Sequence, residues 1–412
     1  MPARKNDRCR YCGSNKLTKY LSLGQHPPSN SFLKIEQVSL EERFPLEVYL
    51  CEGCFLSQLI DVVPAEIIFD DYVYLSSTSK ALKNHYAKLA QQASERFSLK
   101  EEDTVVDIGC NDGVLLCGYT KDGIVKVGVE PSKVAELARK AGFDVFKNFF
   151  DQDCAKKIIA RHGHPKIVTA TNVYVHVDDI SEFTKGVRLL LENDGVFIVE
   201  ASYLLDLIDQ ALFDTIYHEH LCYLSLTPLV PFLDRHDLEV FDVERIALGA
   251  SGPALRVYVQ KKNGKERIES SVSKMLQDEK AWGIGDIKRY KGYAAKVQKI
   301  KDDVLMIISR LQKEGKVVGG YGAPAKGNTL LNYFDLNEDI IPFVAENNPM
   351  KQGMLTPGSH IPIISDEEFL KQMPDYALLL SWNYLDFFLA NSEYIRRGGK
   401  FIIPIPQLSI RP

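Results

Sequence analysis

The sequence of 412 residues lacks any apolar run of the roughly 18 residues that a membrane-spanning helix requires. Its first ten residues, MPARKNDRCR, lack the apolar segment of a secretory signal peptide. A surplus of positive charge is also missing, because 50 Lys and Arg residues face 55 Asp and Glu residues and the net charge is -5. We therefore expect a cytoplasmic globular protein that binds neither membranes nor nucleic acids.

Several common nucleotide and metal motifs are absent as well. The glycines near residue 110 are not spaced as the G-x-G-x-x-G of a dinucleotide-binding fold, and the loop at 322–329 is not a Walker loop. The HEH stretch at 218–220 is not the H-E-x-x-H helix of a metalloprotease. These absences disfavour nicotinamide binding and zinc-dependent proteolysis.

Cysteine is infrequent, yet four of the eight cysteines form the pairs Cys9/Cys12 and Cys51/Cys54. Each C-x-x-C turn directs two thiolates to one point, and two such turns complete a tetrahedral zinc site. A redox role is disfavoured because no βαβ pattern surrounds either pair. The remaining cysteines are scattered, which favours reduced thiols. Since sulfur fills all four positions, we expect the zinc to stabilise a small N-terminal lobe without catalysing a reaction.

The stretch VVDIGCNDG at 105–113 predicts a buried strand, a tight turn and a helix. Its D-x-G-x-x-x-G spacing resembles motif I of class I S-adenosylmethionine (SAM) methyltransferases. Glu130 closes the next predicted strand, where its carboxylate can accept bonds from ribose hydroxyls. Together these features predict a SAM site. Its candidate residues are Asp107, Gly109, Asn111, Asp112, Gly113, Glu130, Asn148, Phe149, Phe150 and Asn172.

Strands and helices alternate from residue 99 to about 262, which predicts a doubly wound α/β sheet with ligands at the carboxyl ends of its strands. The strands predicted at 238–245 and 254–261 would form a terminal hairpin. Charged helices follow to about 314, and a second Rossmann-like α/β lobe completes the chain. We assign residues 1–70 to the zinc lobe, 71–265 to the SAM domain and 266–412 to the C-terminal domain.

The C-terminal lobe contains a candidate anion site. Its first predicted strand leads into GAPAKG at 322–327 and then a helix, whose exposed backbone amides would favour a phosphate. We predict that this lobe binds a nucleotide or diphosphate, and the alternative is a purely structural Rossmann-like lobe. The candidate substrate-binding residues in this lobe are Gly322, Ala323, Lys326, Asn328 and Asn347.

Two polar stretches have an unusual composition. DTIYHEHLCY at 214–223 places ionisable side chains between apolar flanks. In an extended segment His218 and His220 would share a face, but two histidines are too few for a metal site, which leaves acid–base chemistry as the alternative. DYVYLSSTS at 71–79 precedes a helix predicted at 80–98, and either capping and core packing or an active-site wall would account for it.

Taken together, these stretches resemble the nucleotide-deoxysugar C-methyltransferases, of which the TDP-4-keto-sugar 3-C-methyltransferases are the best-known kind. The resemblance covers nearly the whole chain. Its blocks are the two cysteine pairs, DYxYxSSxS from Asp71, VDIGCNDG from Val106, GVEPS from Gly128, IYxEH from Ile216, GYGAPAKGNTLLNYF from Gly320, LTPGSHIPI from Leu355 and PDYALLLSWNY from Pro374.

The resemblance implies three lobes around a cleft that holds a nucleotide-linked 4-keto-6-deoxysugar. It implies that His220 is the general base, which removes a proton from sugar carbon 3 and leaves an enolate that accepts the methyl group of SAM. The residues that it implies line or orient the sugar are Tyr72, Tyr74, Ser76, His176, Tyr217 and Glu219.

Two departures from the family's sequence pattern leave the identity of the sugar open. His218 stands where many relatives carry Asp, and GASG at 249–252 replaces a glycine run near a histidine. Methylation at carbon 5 also stays open, as does the identity of the nucleotide. The alternatives are an O- or N-methyltransferase acting on a nucleotide sugar or another small molecule, an NAD-dependent nucleotide-sugar oxidoreductase, and a silent binding protein. We expect a monomer or weak dimer.

Overall fold

The computed structural model describes residues 3–69, 75–249 and 252–412. The N-terminal lobe is built on short antiparallel strands whose alternating residues bury one face. Its elements are β1 (Arg4–Lys5), β2 (Leu17–His26), β3 (Phe44–Cys51), β4 (Ser57–Leu59), β5 (Asp61–Val62) and α1 (Ala65–Phe69), with a 3-10 turn at Ile35–Leu40.

The central lobe contains a seven-stranded sheet of order β12-β13-β10-β9-β6-β7-β8. Five of its strands are parallel and the last two form an antiparallel hairpin, so the predicted doubly wound fold is confirmed. Its elements are α2 (Lys80–Arg96), β6 (Thr104–Ile108), α3 (Val114–Cys117), β7 (Val125–Val129), α4 (Ala135–Lys140), β8 (Asp144–Phe146), α5 (Gln152–His162), β9 (Ile167–Thr171), α6 (Ile180–Leu190), β10 (Val196–Ser202), α7 (Leu204–Asp209), β11 (Cys222–Tyr223), α8 (Leu226–Asp234), β12 (Leu238–Gly249) and β13 (Gly252–Lys261).

The C-terminal lobe contains a second sheet, of order β16-β15-β14-β17-β18-β19, which is parallel except for its last strand. Two strands of this sheet, Val344–Ala345 and Ile363–Ile364, have only two residues each, and Pro342 and Pro362, which lack an amide hydrogen, lie just before them. The elements from the linker onward are α9 (Ser270–Trp282), α10 (Ile287–Lys313), β14 (Val318–Tyr321), α11 (Ala325–Tyr333), β15 (Val344–Ala345), β16 (Ile363–Ile364), α12 (Asp366–Gln372), β17 (Tyr376–Leu379), α13 (Leu385–Asn391), α14 (Glu393–Arg396), β18 (Lys400–Ile403) and β19 (Ser409–Arg411).

Helix α10 connects the lobes. Its buried residues recur every three or four positions from Tyr290 to Leu311, as in an amphipathic helix. It packs against β2, α7 and β14, which belong to three different lobes, and the rings of Tyr290 and Tyr20 lie 4.9 Å apart. Within the ranges that the structure describes, no helix combines the length and apolar character needed to span a membrane.

The four predicted zinc ligands come together at one end of the N-terminal lobe. The Sγ atoms of Cys9 and Cys54 are 3.5 Å apart, those of Cys12 and Cys51 are also 3.5 Å apart, and all four lie within 4.8 Å of one another. Tetrahedral Zn–S bonds of about 2.3 Å place sulfur atoms about 3.8 Å apart, so this donor set fits zinc. Between two of the ligands, Tyr11 stacks on Phe232 of α8 at 4.3 Å, which attaches the site to the central lobe.

We predict that replacing Cys12 with Ser removes most of the bound zinc and lowers the melting temperature, because metal binding contributes folding free energy to this lobe. Metal analysis of dialysed protein and thermal unfolding measure both effects. The matched control is Cys117→Ser, which replaces another exposed cysteine outside the cluster. A Cys12→Ser protein that keeps about one zinc per chain would contradict the assignment.

Candidate active site

A cavity of about 1030 Å³ lies where the three lobes meet. Its walls include the carboxyl ends of β6, β7 and β9, the segment 217–221, and the strand ends and first helix of the C-terminal sheet. Parallel sheets present ligand sites at these ends, and here both sheets face one cavity. The volume is at the top of the usual range of about 300–1,000 Å³, so the cavity has room for a cofactor and a substrate.

The turn after β6 has the shape expected of a ligand-binding loop. Gly109 and Gly113 have φ angles of 72° and 83°, and a Cβ at Gly109 would lie 2.2 Å from the Val173 side chain. The backbone N–H of Asn111 donates to Oε2 of Glu130 at 3.1 Å, and the N–H of Ser132 donates to Oε1 at 2.9 Å. The carboxylate of Glu130 is therefore held at the cavity wall with lone pairs left for a ligand.

Most of the residues predicted for SAM line this cavity, namely Gly109, Asn111, Glu130, Asn148, Phe149, Phe150 and Asn172. The Asn172 amide nitrogen is buried and has no hydrogen-bond partner among the residues that the structure describes. Such a donor at a cavity wall suits a polar ligand, because a buried unsatisfied amide is unfavourable. The residues present therefore fit SAM.

Three of the predicted SAM residues do not line the cavity. Asp107 lies behind the turn and accepts a 2.6 Å bond from the Thr169 hydroxyl, and burial raises its pKa to about 7. Asp112 accepts the backbone N–H of Ser77 at 3.1 Å, and Gly113 begins α3. The strand and the helix direct these residues away from the cavity, so they shape the turn.

The residues that precede α2 are also tied to this turn. Ser76 lines the cavity, and its backbone N–H donates to Oδ1 of Asn111 at 2.9 Å. Tyr72 and Tyr74, which the resemblance assigns to the sugar, lie outside the described residues. The described part of this stretch therefore contributes to the cavity wall, as the active-site alternative predicts.

His220 is buried among polar and aromatic groups and lines the cavity. Its ring centroid is 4.0 Å from that of Tyr217 and 5.1 Å from that of His176, which is nearly parallel to it. Its Nδ1 is 2.6 Å from the carbonyl oxygen of Thr215. Because a carbonyl only accepts, Nδ1 carries the proton and Nε2 keeps a lone pair. Burial lowers the pKa of His220 to about 4, so the ring is a neutral base at pH 7.

The two histidines of the HEH stretch both line the cavity, but they have different hydrogen-bond partners. The backbone N–H of His220 donates to the backbone carbonyl of Tyr217 at 2.9 Å. The segment is therefore a turn and not the extended chain considered from the sequence. His218 contacts a different lobe: its Nε2 is 3.3 Å from the carbonyl oxygen of Pro45, and its ring meets Phe44 edge-on. Burial lowers the pKa of His218 to about 4.

Two buried lysines line the C-terminal side of the cavity. Nζ of Lys326 donates to Oδ1 of Asn383 at 2.5 Å and lies 4.1 Å from the ring centre of Trp382. Burial lowers its pKa to about 8. Nζ of Lys351 donates to the carbonyl of Ala323 at 2.8 Å. The carboxylate of Asp214 acts on Lys326 and that of Glu346 on Lys351, and both favour the charged form of the lysine. The two ammonium groups at the cavity wall suit an anionic ligand.

The predicted anion loop differs in detail from the expectation. Gly322, Lys326 and Asn347 line the cavity, but Ala323 and Asn328 do not. The N–H of Ala323 already donates to Oε2 of Glu346 at 2.9 Å, and Asn328 is buried and donates to the carbonyl of Ser29. At least one loop amide thus donates within the protein and is not available to a phosphate. The positive charges of the two lysines are the anion-binding groups on this side of the cavity.

Glu346 is a cavity residue that the sequence analysis did not identify. It closes β15 as Glu130 closes β7, and its two oxygens accept the N–H groups of Ala323 and Asn348, both at 2.9 Å. Glu130 accepts hydrogen bonds from the equivalent positions of its own lobe. One donor is the N–H of Asn111, in the turn after the first strand, and the other is the N–H of Ser132, two residues after Glu130. The signal was present in the sequence, because FVAEN at 343–347 matches the pattern of VGVEP at 127–131.

Family comparisons divide the chain in the same order. A model described as "Putative zinc binding domain" matches residues 9–69, one described as "Methyltransferase domain" matches 81–243, and one described as "C-methyltransferase C-terminal domain" matches 249–406. C-methyltransferase NovU from Streptomyces niveus is 34% identical over 404 residues, which cover 97% of this chain and 96% of NovU.

Solved structures are similar over a smaller part of the chain. An S-adenosylmethionine-dependent methyltransferase from Clostridium acetobutylicum is 14% identical with a TM-score of 0.35, over 44% of this chain and 92% of its own. Magnesium protoporphyrin IX methyltransferase from Synechocystis, solved with bound SAM, is 10% identical with a TM-score of 0.34, over 44% of this chain and 79% of its own. Likenesses at these scores carry no conclusion about activity.

We predict that His218 and His220 lower the stability of the folded protein as the pH falls from 7 to 5. Burial lowers the pKa of both His218 and His220 to about 4, whereas an unfolded histidine titrates near 6.5. Between these values the unfolded state holds more protons on these two side chains. The contribution of each histidine to the free energy of unfolding therefore falls by about 2 kcal/mol as the pH drops from 7 to 5.

Thermal unfolding between pH 5 and pH 7 measures this dependence. The variant His218→Asn should lose less of its melting temperature over this interval than the parent does. An unchanged pH dependence in His218→Asn would show that this imidazole is not held neutral in the folded state.

Proposed function

Since the chain belongs to the C-methyltransferase family that includes NovU and is a SAM-dependent C-methyltransferase, we propose that its acceptor is carbon 3 of a nucleotide-linked 4-keto-6-deoxysugar. The observation that carries the proposal is His220, a neutral imidazole with Nδ1 bonded to a backbone carbonyl and with its ring in the cavity. Carbon methylation requires a carbanion equivalent, and a neutral histidine is a suitable base for making one.

The proposed reaction begins with proton removal. A carbonyl at sugar carbon 4 makes the hydrogen on carbon 3 acidic, and Nε2 of His220 takes it. The bond to the Thr215 carbonyl holds the imidazole in the tautomer that leaves Nε2 unprotonated, and it stabilises the imidazolium that forms. SAM, when bound, supplies an electrophilic methyl group.

The neighbours of His220 have roles in the same proposal. Tyr217 and Glu219 belong to the same turn and line the cavity, and His176 stacks on the base. Burial, with the nearby His220 as a second cause, lowers the pKa of His176 well below its ordinary value, so this ring is neutral. We assign Tyr217 to the stabilisation of negative charge on the enolate oxygen, and Glu219 and His176 to the orientation of the sugar.

The C-terminal side of the cavity supports a nucleotide as the carrier of the sugar. Lys326 and Lys351 provide two buried positive charges at the cavity wall, near the carboxylates of Asp214 and Glu346, and a pair of such charges suits a diphosphate. Glu346 repeats the geometry of Glu130, the residue assigned to a ribose, at the other sheet. Exposed Phe387 lies at the cavity wall, where an aromatic ring can cover a nucleobase.

We predict that the protein with SAM adds about 14 mass units to a nucleotide 4-keto-6-deoxysugar, and that His220→Ala reduces this turnover roughly 10²–10⁴-fold while SAM affinity stays near that of the parent. Mass spectrometry over a panel of nucleotides measures the transfer. Exposed His164→Ala is the matched control. A His220→Ala protein with the parent's rate would remove His220 from the mechanism.

A proton NMR experiment in D₂O identifies the methylated carbon. With S-adenosylhomocysteine in place of SAM, the carbon 3 hydrogen of the sugar should exchange for deuterium while the carbon 5 hydrogen remains. Exchange at carbon 5 alone would correct the regiochemistry. Methylation of a sugar that lacks the ketone would instead indicate an O-methyltransferase, because such a sugar cannot form the enolate.

We predict that Lys326→Met raises KM for the nucleotide sugar by roughly 10- to 100-fold, because removing a buried charge partner of a phosphate costs about 2 kcal/mol or more. Steady-state kinetics with SAM at saturation measures the change, and SAM affinity should be unaltered. Lys288→Met, which removes an exposed lysine of α10, is the control. An unchanged KM in Lys326→Met would argue against a phosphate at this wall.

A further inference from the structure

The loop that follows β2 brings the N-terminal lobe into the cavity. Ser29 Oγ lies 3.2 Å from Thr329 Oγ1, and Asn328 Nδ2 donates to the Ser29 carbonyl at 2.7 Å. Both partners belong to α11 of the C-terminal lobe, and all three residues are buried. The backbone of the loop is therefore fixed against a different lobe from the one that contains it.

The next residue of this loop, Asn30, contacts the turn that contains His220. It is buried at the cavity wall, and its Nδ2 donates to Oε1 of Glu219 at 2.8 Å. The Thr329 hydroxyl, which holds the loop, also donates to the carbonyl of Ile216 at 3.1 Å. One anchor thus holds both the donor and the segment that receives the bond.

We propose that Asn30 is a positioning residue for the methyl-transfer reaction, which acts by fixing the Glu219 carboxylate toward the substrate. The N-terminal lobe then has a direct part in the chemistry, in addition to its metal site. The inference rests on the proposed role of Glu219 in orienting the acceptor.

The choice of an amide at this position has a physical reason. A carboxylate at a cavity wall can rotate between several orientations, and a donor on a fixed backbone favours one of them. A neutral amide provides the bond without cancelling the negative charge, as a lysine or arginine would. Because Asn has a short side chain and its neighbour Ser29 is anchored, little flexibility remains in the donor.

Kinetics of Asn30→Ala and of the isosteric Asn30→Asp test the proposal. The Ala variant should lose roughly 10- to 100-fold in kcat with SAM affinity and zinc content unchanged, because a hydrogen bond to a charged group is lost. The Asp variant should lose at least as much, since it places two carboxylates together. Ser31→Ala is the control, because it lies next in the same loop and has no side-chain hydrogen bond among the described residues.

A double-mutant cycle separates positioning from a general structural effect. If Asn30 acts through Glu219, then Asn30→Ala combined with Glu219→Gln should be no slower than Glu219→Gln alone. Multiplying losses, or a kcat of Asn30→Ala equal to that of the parent, would overturn the proposal.

A measurement without an acceptor keeps this inference distinct from the substrate assignment. In protein labelled with ¹⁵N-asparagine, the side-chain signal that Asn30→Ala removes should shift in Glu219→Gln, and the absence of a shift would overturn the contact. If the parent methylates no sugar of the panel but this shift is present, the proposed substrate fails while the contact between Asn30 and Glu219 stands.

Discussion

The buried turn from Thr215 to Leu221 is the constraint on which the arrangement of the three lobes depends. Its polar groups are stable in the interior because hydrogen bonds pair most of them, several with groups of other lobes. The C-terminal lobe provides the Thr329 hydroxyl for the carbonyl of Ile216, and the N-terminal lobe provides the N–H of Leu59 for the carbonyl of Leu221. Since no single lobe satisfies this turn, the cavity is complete only when all three lobes have packed.

The two α/β lobes contain the same arrangement of an acidic side chain and two backbone amides. In each lobe an acid closes the second strand and is held by two backbone amides, as Glu130 and Glu346 show. Both acids line the same cavity, on different lobes, and the turn 217–221 lines it as well. The proposed function uses this symmetry, because it places one nucleoside against each sheet and the reacting groups between the two.

Much of the fold and part of the site could be predicted because their signals are local. A buried strand that ends in a glycine turn specifies the loop at 109–113, and two C-x-x-C pairs specify the cluster at Cys9 and its partners. Local sequence pattern did not predict where a side chain points when the direction of the backbone decides it. Asp107 belongs to the motif yet faces Thr169, and the turn at His220 directs His218 to another lobe.

The sequence by itself determined which strands, turns and ligand sets form, because backbone sterics, hydrophobic periodicity and donor chemistry act over a few neighbouring residues. It also determined the family, whose motifs extend along the whole chain. Only the tertiary structure decided which distant groups meet, as Asn30 meets Glu219 across 189 positions. Such contacts depend on how three lobes pack around one buried turn, and no local pattern carries that information.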